Sequence, residues 1–202
     1  MTTHLRARDL VAGVGGHRTA PLDAAVEGNR IVGFVGPSGV GKTTVFRTLS
    51  GLVPPVAGVV EWGPEPPVVC FQHDGLLRWR SALENVTFGL GRRPGPEETG
   101  RARDLLVTLG LQGLDDRRPA ELSGGQRRRV AIARSILAAR SVLLVDEPFA
   151  HLDDDAGALV VGALRRVVEA GTPVAVALHS DTDAARIVDD VIHVTVAATG
   201  SR

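Results

Sequence analysis

Gly36-Pro37-Ser38-Gly39-Val40-Gly41-Lys42-Thr43-Thr44 fits the phosphate-loop pattern G-x-x-x-x-G-K-[ST]. Its glycines let backbone N–H groups converge on a phosphate chain. The Lys42 ammonium suits β- and γ-phosphate oxygens, and the Thr43 hydroxyl suits Mg²⁺. A second anion-binding feature is Leu122-Ser123-Gly124-Gly125-Gln126, where two glycines follow a hydroxyl residue and open a helix-like stretch from Gln126 to Ala139. A helix start offers free N–H groups and the positive end of a dipole. Two such features in one chain raise the question of whose phosphate the second one holds.

Carboxylates come next. The apolar run Ser141 to Val145 ends in Asp146-Glu147. At the C-terminal end of a parallel strand, such acids lie beside a phosphate loop. Asp146 is placed to hold Mg²⁺ through its water, and Glu147 to polarise a water for in-line attack on a γ-phosphate. Asp154 and Asp155 read as charges at a helix start. His179 ends the apolar run Val174 to Leu178, and Gln72 follows Val68 to Phe71. His179 is either a γ-phosphate contact or a surface histidine. Gln72 either ligates Mg²⁺ or a water, or has no role. The residues alone leave both open. Arg127-Arg128-Arg129 reads as the solvated start of a helix.

These residues need a scaffold. Short apolar runs alternate with helix-like segments, which predicts an α/β fold with a mainly parallel sheet. Its strands are Ile31–Val35, Val68–Phe71, Ser141–Val145, Val174–Leu178 and Val191–Val196, with a helix over Lys42–Leu49 capped at Gly51. Leu5 to Val26 and Gly58 to Trp62 read as short strands of a side sheet, the latter within turn-rich Val53 to Pro67. Between Gly75 and Leu122, helices over Leu83–Leu90 and Arg101–Leu111 flank the breaker-rich 91–96, which predicts a helical insert.

Composition narrows the class. The chain has 202 residues, enough for one compact domain. Lys+Arg 23 balance Asp+Glu 23, which argues against a nucleic-acid binder that relies on a basic surface. A single cysteine, Cys70, excludes an internal disulfide and fits a reducing compartment. No apolar run reaches the roughly 18–20 residues of a membrane span, and Met1-Thr2-Thr3-His4 starts no secretory signal. The expectation is a soluble, intracellular chain.

Taken in order, the phosphate loop, Gln72, Leu122 to Gln126, Asp146-Glu147 and His179 resemble the ATP-binding subunit of an ABC transporter. The resemblance covers about Leu5 to Val196. It implies a RecA-like P-loop NTPase core with a small antiparallel β side sheet and an inserted helical subdomain. One ABC ATPase domain would then occupy 1–202, with its core at about 1–74 and 140–202 and its helical subdomain at about 75–139. The implied reaction is Mg²⁺-dependent hydrolysis of ATP to ADP and phosphate. Gly36 to Thr44 would bind the phosphates, with Lys42 also catalytic. Thr43, Gln72 and Asp146 would serve the metal, Glu147 would be the base, and His179 the switch histidine. Gln72 would sense the γ-phosphate. Asp153 would belong to the D-loop, Ala150-His151-Leu152-Asp153. In this family two domains pair head to tail, so Ser123, Gly124, Gly125 and Gln126 would close on a partner's ATP.

The resemblance also implies partners: a second ATPase subunit, most simply a second copy, and transmembrane permease subunits that hold it at the inner face of the cell membrane. An importer adds an extracytoplasmic solute-binding protein. Phe71-Gln72-His73-Asp74-Gly75-Leu76-Leu77-Arg78-Trp79 is similar to importers of the nitrate, sulfonate and taurine group, with Arg78 where they often carry proline. An exporter or lipid-extracting system, and a soluble ATPase acting on nucleic acid or ribosomes, are the rival readings. Three positions depart from the family. Val14 stands near the usual adenine-stacking aromatic, with His17 a weak substitute. Ser180 replaces the usual aspartate after the switch histidine, although Asp181 is close. The chain ends soon after its last strand, so the C-terminal regulatory domain of some importers is expected to be missing.

Overall fold

The computed structural model describes residues 4–197, so the reading of Met1 to Thr3 lies outside the described residues. Its centre is a five-stranded parallel sheet. The strands in chain order are β5 (Ile31–Val35), β7 (Val68–Cys70), β8 (Leu143–Asp146), β9 (Val174–Leu178) and β10 (Asp190–His193). Every residue of β5, β8 and β9 is buried. Strands covered on both faces need unbroken apolar sequence, which these runs supply.

Helices cover both faces. On one, α1 (Lys42–Leu49) places Val45, Phe46 and Leu49 in a core with Phe34, Leu144 and Ala175. The Phe34 and Phe46 rings meet edge to face at 5.3 Å. On the other, α4 (Gly124–Ala138) and α5 (Asp154–Glu169) bring Val130, Ile132, Val160 and Leu164 against Val145 and Val176.

The antiparallel side sheet has the order β4 (Leu22–Glu27), β1 (His4–Val11), β6 (Ala57–Trp62). In β4 the burial alternates, as for a sheet with one wet face. A two-residue hairpin, β2 (Gly13–Val14) with β3 (His17–Arg18), sits beside it. α2 (Ala82–Phe88), α3 (Pro96–Thr108) and α4 pack on one another, and α4 also packs on β7 and β8. Among the described residues no helix is long and apolar enough to cross a membrane.

Boundaries moved where capping chemistry decides them. α2 begins at Ala82 because Ser81 Oγ accepts from Glu84 N while Glu84 returns a bond to Ser81 N. α3 begins five residues before the predicted Arg101. Pro96 is tolerated at the first helical position, and Glu98 accepts from Gly95 N at 2.6 Å. The last strand stops at His193, and Val196 makes only an isolated bridge to Thr19.

The strand order places the site. In space the sheet runs β10-β5-β9-β8-β7. The phosphate loop leaves β5, His179 follows β9, Asp146 ends β8, and Gln72 lies just past β7. Parallel strands end on one side, so these four features share one rim. Val35 pairs with Leu178, Asp146 with Ala177, and Cys70 with Val145. The register aligns the ends to within a residue or two.

Candidate active site

The phosphate loop turns on glycines that no other residue replaces cheaply. Gly39 and Gly41 have φ of 78° and 109°, in the region that costs a side chain strain. Gly36 N donates to Leu178 O at 3.3 Å, pinning the loop to the next strand. Lys42 is 5% exposed. Its Nζ donates to Gly36 O at 2.5 Å and to Pro37 O at 3.0 Å. Burial lowers the Lys42 pKa, while Glu147 and Asp146 partly restore it.

Asp146 is 1% exposed. Its Oδ2 accepts from Thr43 Oγ1 at 2.5 Å. Its Oδ1 is buried and has no hydrogen-bond partner among the described residues. Burial raises the Asp146 pKa, and the Thr43 bond offsets part of that rise. A hydroxyl and an orphaned carboxylate oxygen, side by side, form an oxygen donor set of the kind a hard cation takes. The residues therefore fit Mg²⁺.

Asp146 also yields a stability prediction. Its raised pKa means the folded chain binds a proton more readily than the unfolded chain. Ionisation thus weakens the fold, a cost relieved as pH falls through the folded value. Asp146→Asn is expected to raise the thermal midpoint of the nucleotide-free chain at neutral pH by about 2–4 °C. The gain should shrink as pH falls through that raised folded value and be gone below the ordinary carboxylate pKa of about 4. Calorimetry at neutral and acidic pH checks this; a lower midpoint at neutral pH would contradict it.

Glu147 occupies the left-handed region, φ 52°, which is uncommon for a non-glycine residue. Its N–H donates to Ala177 O at 3.1 Å. Its Oε1 lies 2.8 Å from His179 Nε2, and His179 Nδ1 lies 3.2 Å from Ser38 Oγ. Three strand ends are thus joined through one imidazole. This line was not legible in the sequence, because Ser38 lies more than a hundred residues before Glu147 and His179. Asp181, two residues after His179, lies 3.9 Å from His193 Nε2. Ser180 does not orient the histidine either: its side chain caps α6 (Asp181–Ala185), accepting from Asp183 N at 3.2 Å.

Ser38, Lys42, Thr43, Gln72, Glu147 and His179 face one cleft of about 530 Å³. A smaller cavity of about 220 Å³ adjoins Gly39 and Gly41 and is lined by Val14, His17 and Arg18. Val14 is 53% exposed, and the imidazole of His17 is the one ring in that lining.

The Ser123 loop lies elsewhere. Ser123 Oγ accepts from Gln126 N at 3.2 Å, and Gln126 Oε1 accepts from Ser123 N at 2.8 Å. The pentapeptide is therefore a capping box, and α4 starts at Gly124, two residues earlier than expected. A Cβ on Gly125 would meet His151 O at 2.8 Å, so glycine is what lets this turn pack on the 150–153 loop. Asp153 Oδ1 accepts from Ala156 N at 2.8 Å as the cap of α5, and Asp154 and Asp155 fall in its first turn. Ser123, Gly124, Gly125, His151 and Asp153 line a separate cavity of about 460 Å³, which shares no residue with the 530 Å³ cleft.

The basic cluster is not solvated as expected. Arg128 is fully buried, and Arg127 and Arg129 are half-buried. Arg129 Nη1 donates to Leu109 O at 2.7 Å, and Arg127 Nη1 to Leu122 O at 2.7 Å. Backbone carbonyls receive all three guanidinium groups. The helical spacing of Arg128 from buried Ile132 and Ser135 was the available signal.

The family described as ABC transporter matches residues 20–150. The chain is 41% identical to the aliphatic sulfonates import ATP-binding protein SsuB 1 of Rhodococcus jostii over 93% of this chain and 78% of that protein. It is 35% identical to the thiamine import ATP-binding protein ThiQ of a Ruegeria species over 80% of this chain and 75% of that one. It is 44% identical to the sulfate/thiosulfate import ATP-binding protein CysA 1 of Rhizobium meliloti over 61% of this chain, but spans only 40% of that longer protein. Among solved structures, a bacterial ABC transporter cassette in dimeric form superposes with a TM-score of 0.81 at 25% identity, over 94% of this chain and 93% of that one.

Proposed function

The chain belongs to the ABC transporter family and is an ATPase of that family; from this premise we propose that it powers import of a small solute through a partner membrane permease. One observation carries the reading. The phosphate loop, His179, Glu147 and Gln72 share one rim, while the Ser123 loop opens a separate cleft. The single chain thus has two half-sites, and a second copy placed head to tail would complete both. ATP would lie between Gly36 to Thr44 of one chain and Ser123 to Gln126 of the other, with Asp153 beside the junction.

The chemistry follows from the side chains. Backbone N–H groups of the loop and the Lys42 ammonium hold the phosphates. Thr43, Asp146 and Gln72 would hold Mg²⁺, which neutralises phosphate charge when bound. Glu147 takes a proton from water as the water oxygen bonds to the γ-phosphorus. The bond to the bridging oxygen breaks, and ADP leaves with that electron pair. His179 would donate its Nε2–H to the γ-phosphate in place of the contact that this nitrogen makes with Glu147 Oε1, with Nδ1 still at Ser38 Oγ. The reading comprises one ATPase domain, with its helical subdomain at about 75–139 between core segments at about 1–74 and 140–202.

The names of the three relatives support import, and the absence of a net charge gives no support to a nucleic-acid partner. Permease subunits would hold the chain at the inner membrane face, and an extracytoplasmic solute-binding protein would deliver the solute. The test is phosphate release from ATP by the purified chain, alone and with its permease in vesicles. Turnover raised by the permease supports the reading. Turnover raised only by nucleic acid or ribosomes would replace it.

The small cavity supplies a further prediction. Val14 offers a nucleotide base no stacking surface, and aromatic stacking on a base is worth about 1–3 kcal/mol. Val14→Tyr is expected to tighten ATP binding by about tenfold and to sharpen discrimination against GTP. Titration of both nucleotides on both proteins checks it; unchanged affinities would contradict it.

A further inference from the structure

Arg128 lies in the second turn of α4, behind the cleft. It is 0% exposed. Its Nη1 donates to Phe71 O at 2.5 Å and lies 3.6 Å from Cys70 Sγ. Its Nη2 donates to the carbonyls of Asp146 and, at 3.0 Å, Glu147. The Arg128 charge also acts on the Asp146 carboxyl, and among the described residues Asp74, at 3.9 Å from Nη1, is its one ion-pair partner. Arg128 Nε has no partner there.

Packing alone does not explain this residue. A buried cation is costly unless paired, and an apolar side chain of similar size fills the same space without that cost. What the guanidinium adds is a planar fork of donors. The two carbonyls on Nη2 flank the Glu147 Cα, where φ is 52° and a non-glycine residue is unfavourable. The Phe71 carbonyl belongs to the peptide that leads into Gln72.

We propose that Arg128 is a positioning residue for ATP hydrolysis, whose single guanidinium fixes the backbones of Gln72 and Glu147 relative to each other from the helix that carries the Ser123 loop. The proposal rests on the ATPase reading above. It makes the helix of one half-site the brace of the other. Among the described residues no hydrogen bond or ion pair joins Arg128 to Gly36 to Thr44, so the first step of nucleotide binding does not depend on it.

The test uses the full chain with Arg128→Lys, which keeps a charge but not the fork, and Arg128→Gln. Both are expected to lower kcat at least tenfold while KM and ATP affinity change less than threefold. Combined with Gln72→Ala, the loss should be smaller than the product of the single losses, because both changes act on one arrangement. A kcat for Arg128→Lys within twofold of wild type would overturn the proposal, as would strictly multiplicative losses. Loss of a cooperative thermal transition in both variants would assign Arg128 to folding alone and also overturn it. If the wild type releases no phosphate, the ATPase reading falls and takes the proposal with it; if it does, a normal variant sinks the proposal alone.

Discussion

Glu147→Gln is expected to lower ATP turnover by about 10²–10⁴-fold while ATP stays bound. Gln has the same size and can keep the contact that Glu147 Oε1 makes with His179 at 2.8 Å. It tolerates the left-handed backbone no worse than Glu does. The loss is therefore chemical: an amide cannot take the proton of the attacking water. Lys42, Thr43 and Asp146 are untouched, so affinity at the phosphate loop should hold. Single-turnover phosphate release and a nucleotide titration separate the two effects. Hydrolysis at the wild-type rate would remove Glu147 from the role of base.

Ser123→Arg is expected to cut turnover at least a hundredfold with ATP affinity within threefold of wild type. Ser123 is exposed at the mouth of its own cavity, so a long cation is accommodated by the monomer. Loss of the Gln126 cap costs about 1 kcal/mol, which the buried remainder of α4 tolerates. The 530 Å³ cleft shares no residue with that cavity, so ATP binding to one chain is unaffected. The damage would fall where the proposed second chain approaches. Equal loss of binding and hydrolysis would place the Ser123 loop in its own chain's site.

Much of this arrangement was legible because it rests on local rules. Apolar runs buried on both faces mark parallel strands. The residues after Val35, Cys70, Val145 and Leu178 then fall on one rim whatever the details of packing. The phosphate loop announces itself through glycines whose positive φ the turn demands. What escaped was set by tertiary contact. His179 joins Ser38 and Glu147 across three strands, and no spacing encodes that. Ser180 looked like a substitute for an orienting aspartate, yet local competition for the first N–H groups of α6 claims its hydroxyl. Arg128 looked like surface charge by composition. Its helical face said otherwise, because positions 128, 132 and 135 lie on one buried stripe. The start of α3 was misplaced by reading Pro96 as a breaker when it is a helix opener.

The central claim is that the hydrolysed ATP is shared by two chains. Light scattering of Glu147→Gln measures it directly, because that variant should hold ATP without consuming it. With Mg²⁺ and ATP the mass is expected to rise to twice the 21.2 kDa of one chain, and to fall back to one chain when Ser123→Arg is added. A mass that stays at one chain with ATP demonstrably bound would contradict the account.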